Sequence, residues 1–175
     1  MADTMRDPPL RAAAERSDRL PAQQALRVLA TINGSEGSGR VLNHVLRLPQ
    51  LYGPVEVVVL NVQPKPQDWR LRGWGWFQRE AIHDRLINEL GRRAIASAGR
   101  QLDAAGIAHR DRIELGEPGE TIARCAREEG CDLVVLAEPR PGAVRMWLLR
   151  NGGLSTGATA GIVVHLAQVP VVLVP

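Results

Sequence analysis

Short runs rich in valine, isoleucine and leucine recur along this chain, and they alternate with segments whose apolar residues return every three or four positions. Few architectures accept that alternation. Arg27-Val-Leu-Ala-Thr-Ile32 is an apolar run bounded by turn residues, which predicts a buried strand. Val55 to Val62 is almost continuously apolar and valine-rich, as burial on both faces requires. His109 to Leu115 alternates and should be more exposed, while Cys131 to Ala137 and Val169 to Val174 complete five strands. Between them, Val41, Leu42, Val45, Leu46 and Leu48 fall at helical spacing up to Pro49, which should stop that helix. A long amphipathic helix is predicted from about Gln78 to Ala105, with Ile82, Leu86, Leu90, Ile95 and Leu102 on its apolar face and Gly106 closing it. Pro118 suits the first turn of a helix that buries Ile122, Ala123 and Ala126, and a last helix fits between Ser155 and Gln168.

Right-handed crossovers place helices on both sides of a parallel sheet. The expected fold is therefore a single α/β domain, an open five-stranded parallel sheet of Rossmann-like form. Ligands bind such sheets at the carboxyl ends of the strands, where strand order reverses. The loops that matter are Asn33 to Gly39, Gln63 to Phe77 and Glu138 to Thr156. Residues 1–24 balance acids against arginines, contain Pro8, Pro9 and Pro21, and read as a mobile tail ahead of a domain spanning 25–175.

Composition narrows the chemistry. Lys65 is the only lysine, so a Walker-type phosphate loop has no lysine to use. Arginines are interleaved with acids through most of the chain, against a nucleic-acid stripe; the exception is the region after Glu138, with Arg140, Arg145 and Arg150 and no acid. Cys125 and Cys131 are too few for a disulfide framework and match no zinc spacing, which suits a reducing compartment and small core residues. No run resembles a signal peptide or reaches membrane-spanning length. The expectation is a soluble, cytoplasmic protein with no membrane or nucleic-acid partner.

Five local sequences, taken in order, carry a resemblance. They are Val28-Leu-Ala-Thr-Ile-Asn-Gly-Ser-Glu-Gly-Ser38, Val57-Val-Val-Leu-Asn-Val62, Gly116-Glu-Pro-Gly-Glu-Thr-Ile122, Cys131-Asp-Leu-Val-Val-Leu136 and Gln168-Val-Pro-Val-Val-Leu-Val174. Together they resemble the universal stress protein family, a stress-response family within the adenine nucleotide alpha hydrolase-like class. The resemblance implies homodimers and two subtypes, of which one binds ATP. The ATP subtype carries an aspartate after the first strand and a glycine loop after the fourth, written G-x2-G-x9-G-[ST]. Glycines in such a loop let backbone amides approach phosphate oxygens, and the last helix offers its N-terminus to the charge.

This chain departs from that pattern. Asn33 stands where the resemblance implies the aspartate, so it can hydrogen-bond but brings no charge. The two early glycine positions fall on Ala137 and Arg140; the closing glycine falls on Gly157, followed by Ala158 instead of a hydroxyl residue. A second register uses Gly142 and Gly152, followed by Gly153, and lacks the hydroxyl as well. Candidate cleft residues are Ile32, Asn33, Val62 (the position the resemblance packs on adenine), Ala137, Gly142, Arg145, Gly152, Gly153, Ser155, Thr156 and Gly157. The segment Gly152 to Gly157 could nest an anion beside Arg140, Arg145 or Arg150, or serve only as a flexible loop with a helix cap.

The resulting expectation is a non-catalytic signalling dimer with a degraded ATP loop and no cofactor. The alternative is a protein that binds ATP or AMP through the arginine-bearing loop. Trp69, Trp74 and Trp76 cluster with Phe77 in one loop, although aromatics are scarce elsewhere; they could serve a protein partner or fold onto the sheet. His44, His83, His109 and His165 form no metal pair, and no nucleophile-base arrangement or paired carboxylates mark an enzyme. A nucleotide hydrolase is the most distant alternative. The last apolar run should not stay uncovered as a sheet edge. The resemblance implies that Val171, Val172, Leu173 and Val174 pair antiparallel with a second copy.

Overall fold

A computed structural model describes residues 24–64, 85–138 and 156–175. The chain there runs β1 (Leu26–Thr31), α1 (Glu36–Val45), α2 (Leu48–Tyr52), β2 (Val55–Gln63), a π-helical turn (Leu86–Gly91) continuous with α3 (Arg92–Ala104), β3 (Ala108–Leu115), α4 (Pro118–Glu128), β4 (Leu133–Ala137), α5 (Thr156–Leu166) and β5 (Val171–Val174). The strands form one sheet in the order β3-β2-β1-β4-β5, and every neighbouring pair is parallel. The five-stranded parallel sheet read from the sequence is the sheet that forms. The tail, the tryptophan-bearing loop and most of the segment after β4 lie outside the described residues.

The valine run of β2 shows why the sheet must be covered twice. Val57, Val58 and Val59 are all fully buried, and successive residues of a strand face opposite ways. Val57 and Val59 join Val28, Ala30, Val41, Val45, Ile95 and Leu102 in a core under α1 and α3. Val58 and Leu60 join Leu29, Val134, Leu136, Ile122 and Val163 in a second core under α4 and α5. Each fully buried aliphatic side chain contributes about 1.5–3 kcal/mol, so both layers are needed to hold the central strands. Cys125 and Cys131 belong to the second core, where burial pushes both thiols up to about 11. They are packing residues, as expected.

Helix ends follow the sequence closely where glycine decides them. Gly106 takes a φ of +66°, its N–H donates to Asp103 O at 3.0 Å, and Ile107 N–H donates to Leu102 O at 2.9 Å. That pair of bonds satisfies the carbonyls the helix leaves open. Pro118 opens α4, where its missing N–H costs nothing.

Two expectations fail. Pro49 does not stop the first helix: α1 ends at Val45, and Pro49 enters the first turn of the separate helix α2, a position that needs no N–H. Leu90 is not on a buried face, being 45% exposed. The π-helical turn Leu86–Gly91 adds a residue to its turn and moves the apolar phase, so the spacing that places Ile95 and Leu102 inward does not extend back to Leu90.

Candidate functional site

The chain builds β1, β2 and β3 outward in one direction, then returns to place β4 and β5 on the other side of β1. Strand order therefore reverses between β1 and β4, and the opening between their carboxyl ends is the place where this architecture accepts ligands. Ile32, Val62 and Ala137 stand at the ends of β1, β2 and β4, three neighbouring strands. They do not share a face. Ile32 and Ala137 pack with the core under α1 and α3, whereas Val62 packs with the core under α4 and α5.

The loop after β1 is organised by one serine. Ser38 Oγ accepts Asn33 N–H at 3.0 Å and Gly34 N–H at 3.1 Å, and donates to Asn33 Oδ1 at 2.9 Å. Asn33 Oδ1 also accepts Ser35 N–H at 3.0 Å. The side-chain oxygen of Asn33 is thus turned back into its own loop, an Asx-type turn that sets the start of α1. Ser35 occupies the N-cap position without a side-chain cap bond. The turn ahead of α1 is held by Ser38 and not by a side-chain cap at Ser35.

A buried amide fixes the neighbouring strand end. Asn61 is fully buried; its Nδ2 donates to Ile32 O at 2.6 Å and its Oδ1 accepts Gln63 Nε2 at 2.7 Å. These bonds join the ends of β1 and β2 along the rim. Sequence reading passed over Asn61, although one polar residue inside an otherwise apolar run was a usable signal, because a buried amide must be satisfied by something specific.

The other wall is close-packed. A Cβ placed on Gly37 would come within 2.7 Å of Ala137 Cβ, so the first turn of α1 meets the end of β4 only because residue 37 has no side chain. Arg40, one turn further, donates Nη2 to Glu138 O at 3.2 Å. Of the other candidate residues, Thr156 and Gly157 supply the first two positions of α5, and Gly142, Arg145, Gly152, Gly153 and Ser155 lie outside the described residues. Val171, Val172, Leu173 and Val174 form β5, an edge strand.

The opposite edge is charged. Arg112 on β3 bonds Glu114 at 2.9 Å and Glu129 at 2.7 Å, and contacts Glu128; Arg124 bonds Glu114 at 3.0 Å and Glu128 at 2.8 Å. Burial pushes the Glu114 carboxyl upward, but the hydrogen bonds and charges of Arg112 and Arg124 outweigh it, leaving it below its ordinary 4.5. A carboxyl lowered on folding stabilises above its unfolded value, and that stabilisation fades as pH falls through the folded value. Thermal melts should therefore show Glu114→Gln less stable than the parent at pH 7, with the difference shrinking below about pH 4.5. A difference that stays constant down to about pH 3 would contradict this. Among the described residues no group of histidine, cysteine and carboxylate side chains could hold a metal ion, and no helix is long and apolar enough to cross a membrane.

Comparison with known proteins agrees with this geometry. No curated protein matches the sequence. Among solved structures, a universal stress protein family member from Burkholderia pseudomallei is 21% identical with a TM-score of 0.63, over 89% of this chain and 99% of that one. A universal stress protein from Archaeoglobus fulgidus in complex with dAMP is 18% identical (TM-score 0.56), over 87% and 99% of the two chains. One from Arabidopsis thaliana with AMP bound is 14% identical (TM-score 0.58), over 85% and 90%. These likenesses show the shared fold. The model of the universal stress protein family matches residues 25–175, the same stretch that supplies the strand reversal and both walls of the cleft, and the chain belongs to that family.

Proposed function

We propose that this protein is a non-catalytic, cytoplasmic universal stress protein that works as a homodimer and whose cleft has lost the family's recognition of ATP. The observation that carries the reading is Asn33. Its uncharged side chain spends its oxygen on Ser35 and Ser38, so it has neither the charge nor the free acceptor that the aspartate of the ATP subtype brings. Ala137 adds to this: its methyl group stands where the ATP pattern has its first glycine, already in contact range of the Gly37 turn. The residues described here do not fit ATP bound in the family's manner. Among the described residues no group of metal-ligating side chains is assembled for a catalytic step.

Isothermal titration with ATP tests the reading. No saturable heat is expected at concentrations that would fill a site with a dissociation constant of about 10 µM. Saturation in that range would overturn it.

A second reading is favoured by the solved relatives that carry AMP or dAMP. A nucleoside monophosphate needs fewer phosphate contacts than ATP, so the missing aspartate charge and glycine pattern weigh less against it. In this reading the protein senses an adenine mononucleotide without turning it over.

A further inference from the structure

Among the described residues, Asn33 is the asparagine that a glycine follows. Gly34 takes a φ of +77°, where glycine sits without strain, so the turn itself asks for this pair. The pair has a chemical weakness. The backbone nitrogen after an asparagine can attack the side-chain amide carbon, and a glycine there has no Cβ to obstruct the ring that closes. Attack needs a place for the proton on that nitrogen and stabilisation of the charge gathering on the amide oxygen.

The loop after β1 supplies both. Gly34 N–H donates to Ser38 Oγ at 3.1 Å, and the same hydroxyl donates to Asn33 Oδ1 at 2.9 Å. Ser38 therefore bridges the attacking nitrogen and the oxygen of the carbon under attack. A second donor, Ser35 N–H, lies 3.0 Å from Oδ1. An Asx turn is closed by the Ser35 bond alone; the two contacts of Ser38 are additional to it. Asn33 and Gly34 are exposed, whereas Ser38 is buried. Water thus reaches the amide while the bridging hydroxyl is held in place.

We propose that Asn33-Gly34 is a self-modifying site, at which the folded loop converts the Asn33 amide to an acid through a succinimide, with Ser38 as proton relay. The bond from Gly34 N to Asn33 Cγ forms as the Gly34 proton passes to Ser38 Oγ and the Ser38 hydroxyl proton passes to Oδ1. That proton then moves through solvent to Nδ2, the bond from Cγ to Nδ2 breaks, the carbonyl re-forms and ammonia leaves. Water opens the ring. Opening at Cγ leaves aspartate in an intact chain, and opening at the main-chain carbonyl leaves isoaspartate. Nothing is oxidised or reduced. The new carboxylate can keep the bonds from Ser35 N–H and the Ser38 hydroxyl, and a negative charge at the start of α1 is favoured by the helix dipole. The site stands apart from both readings of the cleft.

The test follows the full chain at mildly alkaline pH, folded and in guanidinium chloride. Peptide mass spectrometry reads amide-to-acid conversion at 33 and at Asn151, which a glycine also follows and which serves as the reference in the denatured arm. Denatured, the two sites should convert at similar rates. Folded, conversion at 33 should exceed its own denatured rate by about tenfold, and Ser38→Ala should lose most of that gain while circular dichroism stays unchanged. Asn33→Asp is the product standard. It should co-elute on ion exchange with the aspartate form of aged protein, one unit below the formal net charge of +3. A folded rate equal to or below the denatured rate would overturn the proposal, because the bonds would then lock the amide. A folded gain kept in Ser38→Ala would overturn the relay. Should Ser38→Ala fail to fold, the comparison of folded with denatured parent decides alone.

Discussion

If the proposed homodimer pairs through β5, a Leu173→Pro chain should run as a monomer at concentrations where the parent associates, with its fold retained. The hydrogen bonds of β5 explain the choice of residue. Val134 N–H donates to Pro170 O at 3.0 Å and Glu138 N–H to Val174 O at 2.8 Å. In a parallel ladder alternate residues serve the same neighbour. Val172 and Val174 therefore spend their backbone groups on β4, and Val171 and Leu173 turn theirs outward. Proline at 173 removes an outward N–H and crowds the edge while sparing the ladder to β4. The apolar character of this edge supplies the drive for pairing. Leu173 is 38% exposed, and on the adjoining helix α5 Ile162, Val164 and Leu166 are exposed at 39%, 54% and 39%. The β3 edge offers Arg110, Asp111 and Arg112 instead, which discourage strand addition. A dimer dissociation constant raised by about 100-fold or more is expected, since several main-chain bonds and the facing apolar contacts go together. Light scattering across a dilution series reads it directly. An unchanged mass at every concentration would show that the copies, if they associate, do so elsewhere.

How much of this was legible beforehand depended on whether one residue type could settle a question. Val57 to Val59 admit only burial on both faces, so the parallel sheet followed from them. Gly106 and Pro118 mark helix boundaries because their backbones suit few other positions. Pro49 was ambiguous, since proline both ends helices and begins them, and α2 takes the second option. Leu90 misled because a π-helical turn changes the phase of a pattern that looks regular in sequence. The cleft was harder to see. Its position followed from the strand alternation, but its chemistry rests on Ser38, Asn61 and Arg40, whose partners lie in other elements or across a turn. Asn61 Nδ2 finds Ile32 O and Arg40 Nη2 finds Glu138 O across separations of 29 and 98 residues. No local pattern encodes such distances. Asn33 was read as a departure from the aspartate, and only the geometry shows that its oxygen serves its own loop.

Replacing Asn61 should cost the fold more than any other rim substitution, and its pH dependence should reveal why. In Asn61→Ala the carbonyl of Ile32 loses its partner in a buried place, and the half-buried amide of Gln63 loses one as well. The first loss is the expensive one because water cannot replace the bond, and with the packing lost at a fully buried side chain a combined cost of about 2–4 kcal/mol is expected from chemical denaturation. Asn61→Asp keeps the size but replaces the donor facing Ile32 O with a carboxylate, bringing two acceptors together at about 2.6 Å. Burial and the facing carbonyl both raise that aspartate above its unfolded value. A carboxyl raised on folding is best tolerated below its unfolded value, where it is protonated and can donate to Ile32 O; the benefit is lost as pH climbs through the folded value. The Asn61→Asp protein should therefore approach the parent's stability near pH 4 and fall behind it by about 2 kcal/mol or more at pH 7. This slope is opposite in sign to the one expected at Glu114, where lower pH weakens the fold. A deficit in Asn61→Asp that is the same at both pH values would mean that the side chain at 61 reaches water, and that the ends of β1 and β2 are not joined by a buried donor.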